Sequence, residues 1–155
     1  MKLEPAIGYR FLLVIDGYEF GSFSKVEGIA AEYKLTPVRE GGQNGFTHQL
    51  PGRVKYTNIK LSRSLDRSSA RLAAWFTDYQ RALDSAGRYQ GTAASIAAVD
   101  ADLDVVATWN FSNVVPVKYS GPSFNANASE LVTEQLEFAH EGFWSGSAPI
   151  PVPTG

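Results

Sequence analysis

The segment ELVTEQLEFAHE, residues 130–141, changes character at almost every second position. Val132, Leu136, Phe138 and His140 fall on one face, and Thr133, Gln135, Glu137 and Glu141 on the other. An extended chain that buries one side produces this period, because successive side chains point to opposite faces of a sheet. The pattern recurs. In YRFLLVI, Tyr9, Phe11, Leu13 and Ile15 share a face, yet Leu12 and Val14 are apolar too, as in a strand covered on both sides. Asp16-Gly17 follows and Tyr18-Glu19-Phe20 resumes the pattern, which predicts a tight hairpin. Farther on, Ile59 and Leu61 alternate with Asn58, Lys60 and Ser62. VVATWNF aligns Val105, Ala107, Trp109 and Phe111. TAASIAAV reads as a weaker strand and DADLD as a polar turn.

Between these strands the chain is punctuated. Gly28 marks a bend or bulge, and residues 31–39 are extended. Pro37 cannot donate a ladder hydrogen bond and so argues for an edge or a strand end. Pro51-Gly52 reads as a turn, and VVPVKYSGPSFNANAS as extended chain with turns. One segment has the helical period instead. In SSARLAAWFTDYQRALDSAG, Leu72, Trp75, Phe76, Tyr79, Ala82 and Leu83 recur at three- and four-residue spacing. Ser68 is placed to cap this helix and Gly87 to stop it. A single apolar stripe implies packing on a sheet. The outline is an antiparallel β domain with one helix inserted in mid-chain. A length of 155 residues fits one such domain, spanning 1–144, followed by a Pro/Gly/Ser-rich tail over 145–155.

Charge and composition narrow the function. The net charge is −2, with both signs spread along the chain, unlike the basic footprint of a nucleic-acid binder. There is no cysteine, which excludes disulfide and thiolate-metal chemistry. MKLEPAIGYRF has no apolar run of signal-peptide length, and no segment reaches the ~20 apolar residues of a spanning helix.

Catalytic and metal motifs fare poorly. Asp100, Asp102 and Asp104 have the spacing that opens a calcium loop, but Val105 stands where that loop needs glycine and no glutamate closes it. A solvated hairpin turn accounts for them better. His48 and His140 are the only histidines, too few for a three-histidine zinc site, and Trp144 stands where a zinc-protease motif needs its second histidine. No glycine-flanked nucleophile elbow supports serine catalysis. These patterns point away from an enzyme, and nothing calls for a cofactor.

REGGQNGF, residues 39–46, holds three glycines and an asparagine in eight positions. Gly41, Gly42 and Gly45 lead into Phe46-Thr47 with no helix start and no GK[ST], so the phosphate-loop pattern is incomplete. A hairpin tip and a loop that docks on a neighbouring copy are the other readings.

Taken in order, FLLVIDGYEFGSFSKVEGI, VREGGQNG, QLPGRVKYTNIKLSRSL, WFTDY, ATWNFSNVVPVKYSGPSFNA and ELVTEQLEFAHEGF resemble the tail-tube (inner tube) protein family of contractile phage tails and extracellular contractile injection systems. The match runs from about Tyr9 to Phe143. The most specific pieces are the REGG loop, LPG-R-x-K-Y-x-N-I-x-L, the W-N-F…P-V-K-Y-S-G-P run and E-x-L-E-x-A-H-E-G. The resemblance implies a mainly β fold of two packed antiparallel sheets with a flanking helix. It also implies hexameric rings that close a continuous β-barrel and stack into a hollow tube inside a sheath. Sheath contraction then drives the tube through a target envelope. No catalytic residue is carried over. The partners implied are further copies of the chain, a sheath protein, baseplate or spike and terminator proteins, and lumen cargo. The implied site of synthesis and assembly is the bacterial cytoplasm, with no membrane insertion by this chain alone. On this reading Arg39, Glu40, Gly41, Gly42, Asn44 and Gly45 form an inter-subunit or inter-ring contact loop. Asn58, Lys60, Ser62, Thr133, Gln135 and Glu137 are the candidates to face the lumen. A phage tail tube or a tube-initiating baseplate paralogue are alternatives within the family. From another class comes a β-sandwich that binds a ligand or glycan, with Trp144, Tyr18 or Tyr119 as stacking platforms.

Overall fold

The computed structural model describes residues 8–38, 48–65, 67–86, 91–121 and 133–146. Strands β1 (Arg10–Ile15) and β2 (Tyr18–Phe23) form the expected hairpin, with Ile15 opposite Tyr18. Asp16 (φ 51°) and Gly17 (φ 79°) both take left-handed backbone, as a two-residue primed turn requires. Next come β3 (Lys25–Glu27), β4 (Ala31–Val38), β5 (His48–Tyr56) and β6 (Ile59–Ser64). Helix α1 (Ser69–Ala86) precedes β7 (Thr92–Val99), β8 (Val105–Ser120), β9 (Thr133–Ala139) and β10 (Gly142–Ser145).

The strands build two antiparallel sheets that share β8. In the first the order is β2-β1-β7-β8, with β10 on the far side of β8. In the second it is β8-β9-β6-β3. Strand β8 passes from one sheet to the other: Val114 is its last partner for β7 and Val115 its first for β9. Asn113, at φ 49°, sits at that transition. VVPVKYS is extended, as read from the sequence, and forms the second half of a 16-residue strand, while residues 122–129 of that stretch lie outside the described residues. Pro116 is accommodated beside a register shift between Pro116 and Lys118.

Pro51-Gly52 is no turn, because β5 runs through it. The pairing of β4 with β5 shifts between Tyr33 and Leu35, and Pro51 then stands opposite Leu35. Among the described residues strand β5 pairs only with β4, so the missing proline N–H leaves no inner ladder broken.

The space between the sheets is filled by Leu13, Ile15, Phe20, Phe23, Ile59, Leu61, Ile96, Phe111, Leu136 and Phe138, all buried. Each such side chain contributes about 1.5–3 kcal/mol on burial. Phe111 and Phe138 meet edge-on at 5.5 Å across the two sheets. The helix begins where expected: the Ser68 carbonyl accepts from Leu72 N–H at 3.2 Å, the first helical bond. Its stripe buries Leu72 and sets Trp75 6.0 Å from Phe20 and Phe76 6.5 Å from Tyr119.

Candidate self-assembly surface

Two parts of the molecule are left open. The first is the β4–β5 hairpin. Residues 31–37 and 49–55 are all exposed, so neither face of this ribbon is covered. Tyr33 (61%), Leu35 (53%) and Leu50 (55%) present large apolar surface to water. A two-stranded ribbon is marginal without a layer to pack on. The contact-loop candidates Arg39, Glu40, Gly41, Gly42, Asn44 and Gly45 lie outside the described residues. The strands on either side of them remain paired as far as Val38 and His48.

The second open part is the β8-β9-β6-β3 sheet. Among the described residues strand β3 pairs only with β6. Residues 115–120 of β8 pair with β9, and among the described residues no strand covers their other side, since β7 reaches only Val114 and β10 only Trp109–Ser112. Among the described residues, nothing pairs with the backbone of either margin, and such an edge is a template for another strand.

The outer face of this sheet is polar, and its side chains stand in rows across the strands. Lys118 of β8 is opposite Glu137 of β9, Glu137 is opposite Lys60 of β6, and Lys60 is opposite Glu27 of β3. The next row runs Ser120, Gln135, Ser62, Lys25. Thr133 and Ser64 begin a third. Lys60 Nζ lies 3.5 Å from Glu137 Oε1, and Lys25 Nζ lies 2.6 Å from Glu27 Oε1. The hydrogen bond and charge of Lys25 hold the Glu27 carboxyl below its ordinary range. Of the lumen candidates, Lys60, Ser62, Thr133, Gln135 and Glu137 thus share one face. Asn58 is exposed in the bend before β6, outside the ladder.

The inner face of the same strands hides a polar network. Arg63 and Glu134 are 3% and 1% exposed. Arg63 Nε donates to Glu134 Oε1 at 2.5 Å, and Arg63 also donates to the Phe20 carbonyl. Ser69 donates to Glu134 at 2.6 Å and Tyr119 at 2.8 Å. One carboxylate therefore ties β6, β8 and α1 to β9. Burial, with the neighbouring Glu134, pushes the Tyr119 hydroxyl up to about 12. The ring of Tyr119 faces Phe76 and its hydroxyl is engaged, so it is no free stacking platform. Tyr18 is exposed and Trp144 half-buried. The spacing held a signal for the network: Glu134 shares period two with Leu136 and Phe138, and Arg63 with Ile59 and Leu61.

His140 sits among Tyr56, Phe111, Phe138 and Phe143. Its Nε2 is 3.1 Å from the Thr57 carbonyl, and Nδ1 accepts from Gly142 N–H at 3.2 Å. Burial lowers its pKa from the usual value. The ring clasps the β5–β6 corner to the core. Asp100, Asp102 and Asp104 bring carboxylate oxygens within 4.8 Å of one another. Asp100 Oδ1 accepts from the backbone of Asp102 (3.0 Å) and Asp104 (2.9 Å), which shapes the β7–β8 turn. Among the described residues no helix is long and apolar enough to cross a membrane.

An uncovered arm, two bare strand margins and a row-ordered polar face define a class: a β-sandwich subunit built for assembly. The chain belongs to the T4-like virus tail tube protein gp19 family, whose model matches residues 8–144. Solved structures agree on the fold. A chain in the sheath–tube complex of PVC, an extracellular contractile injection system, in its extended state superposes with a TM-score of 0.74 at 21% identity, covering 94% of each chain. A chain in the six-fold symmetrised baseplate of the anti-feeding prophage gives 0.70 at 19%, covering 93% of this chain and 97% of that one. A chain in the PVC sheath/tube terminator gives 0.72 at 22%, covering 94% and 100%. No curated protein sequence matches the chain.

Proposed function

We propose that this tail tube protein is the repeating inner-tube subunit of a contractile injection system, a structural part and not an enzyme. The observation that carries the reading is the four-stranded sheet whose two margins pair with no other strand among the described residues. A head-to-tail contact between margins closes into a ring, and rings stacked on one axis give a tube. Because the sheet has an even number of strands in strict antiparallel order, rotation about the tube axis brings β8 of one copy against β3 of the next, again antiparallel. Six copies would close a barrel about 40–50 Å across its backbone at ordinary strand spacing and tilt. The polar face carrying Lys60, Ser62, Gln135 and Glu137 would then line a water-filled lumen able to hold cargo. The β4–β5 arm, with the loop from Arg39 to Gly45, would reach a neighbouring subunit or ring.

The baseplate, sheath–tube and terminator contexts of the similar structures support sheath, baseplate and terminator proteins as partners. Assembly in the bacterial cytoplasm, a domain ending near 144 and firing by sheath contraction belong to the same proposal. Electron microscopy of the purified protein tests it. Uniform rings or tubes are expected, and solitary particles at high concentration would overturn it. Replacing Gly41 and Gly42 with valine should leave a folded monomer that no longer polymerises.

A further inference from the structure

The β4–β5 arm joins an apolar face to an excess of positive charge. Tyr33 stands opposite Val54 and Leu35 opposite Pro51, and Tyr33 and Leu35 are two residues apart, so all four share a face. Among the arm's described residues Lys34, Arg53 and Lys55 outnumber Glu32, and all are exposed. A second surface answers this one. The turn between β7 and β8 holds Asp100, Asp102 and Asp104, and beside them Leu103, Val105 and Val106 are 72%, 63% and 54% exposed. Val105 and Val106 are consecutive, so neither face of this end of β8 is covered. Leu103 takes left-handed backbone, at φ 66°, where asparagine, aspartate or glycine is the ordinary choice. Neither turn chemistry nor the core accounts for an outward leucine there. Arg10, opposite Val99, adds one positive charge at that end and still leaves it acidic.

The two surfaces lie far apart on one molecule. Strand β8 leaves the turn at Val105 and ten residues later, at Val115, stands opposite Ala139. Phe138 follows, opposite Ile59, and Asn58 next to Ile59 lies against Gly28 at the root of the arm. Two unlike surfaces that match make a head-to-tail contact, in which every copy both gives and receives. We infer that the arm of one copy covers the β7–β8 turn of another. The apolar face of the arm meets Leu103, Val105 and Val106, and its cations turn toward Asp102 and Asp104. A second arm is an unsuitable occupant of the arm's own face, because it is equally basic and like charges repel. The inference rests on the reading of this chain as a self-assembling subunit and adds to it which surface receives the arm.

Charge exchange tests the contact. Lys34→Glu with Lys55→Glu gives one variant an acidic arm and an acidic turn. Asp102→Lys with Asp104→Lys gives the other a basic arm and a basic turn, and it keeps the turn's own hydrogen bonds, which run from the backbone at 102 and 104 to Asp100 Oδ1. Each variant alone should need at least tenfold more protein to sediment as an assembly of wild-type size. Mixed in equal amounts, each arm finds a turn of opposite sign on the other variant, and assembly should return. The intrachain effects of the substitutions persist in the mixture, so recovery reports the contact alone. The chain lacks cysteine, which permits a second readout. Leu35→Cys with Leu103→Cys, treated with a short bifunctional thiol reagent, should give a ladder of covalent oligomers. Leu35→Cys with Tyr18→Cys should not, since Tyr18 lies at the other end of β1 from Val99 and the turn. A wild type that assembles, with no recovery in the mixture or a stronger ladder from the Tyr18 pair, would overturn the docking site and leave the ring reading standing. A wild type that stays monomeric at high concentration would overturn both.

Discussion

Gly28 lies against Asn58 so closely that a Cβ on Gly28 would come within 2.0 Å of the Asn58 carbonyl oxygen. The two residues sit in the bends between β3 and β4 and between β5 and β6, where the sheet ends and the exposed arm begins. The contact sets how the arm leaves the body.

Gly28→Ala therefore meets two obstacles, the carbonyl and a φ of 97°. The backbone alone should cost about 1–3 kcal/mol. Urea unfolding should show the loss, and circular dichroism should show whether the strands survive.

Glu134 supports three elements at once. Glu134→Gln leaves Arg63 buried beside a neutral partner, and the expected loss is about 3–5 kcal/mol. Replacing both, Arg63→Met with Glu134→Leu, should cost less than either single change, because no charge remains buried. A double-mutant cycle by chemical denaturation decides it. Equal, additive losses would count against coupling.

Protonating His140 would put a second N–H against the Gly142 N–H that now donates to it. Its folded pKa is lowered, so the stability it supplies is complete above its unfolded value near 6.5 and is lost as pH falls toward the folded pKa. Melting temperature should decline across that acid window. His140→Gln should flatten the part of the decline that belongs to this residue.

Tyr119 behaves in the opposite sense. With the folded hydroxyl raised to about 12 from 10.0, its contribution is intact below pH 10 and fades as pH rises toward 12. Ultraviolet titration should find a tyrosine component ionising late that Tyr119→Phe removes.

The arm predicts a separation of folding from assembly. Leu35→Asp with Leu50→Asp alters exposed positions that touch no core residue. Monomer stability should change by less than about 0.5 kcal/mol, while sedimentation should show ring formation lost. Unimpaired rings would mean the arm is not a contact.

The sequence alone determined the local terms. Period two in residues 133–139 and 59–64 assigned their polar and apolar faces, Asp16-Gly17 supplied its hairpin, and one apolar stripe supplied the helix. Each follows from backbone geometry over a few residues. It also held the anomaly of Glu134 and Arg63 on apolar faces, but their meeting is a contact 71 residues apart. The passage of β8 between sheets, the strand running through Pro51-Gly52 and the bare margins were decided only in three dimensions. So was the row of Lys118, Glu137, Lys60 and Glu27, since a lysine's neighbour across a ladder is set by strand order and register. Those are properties of the whole packed sheet, and no window of sequence contains them.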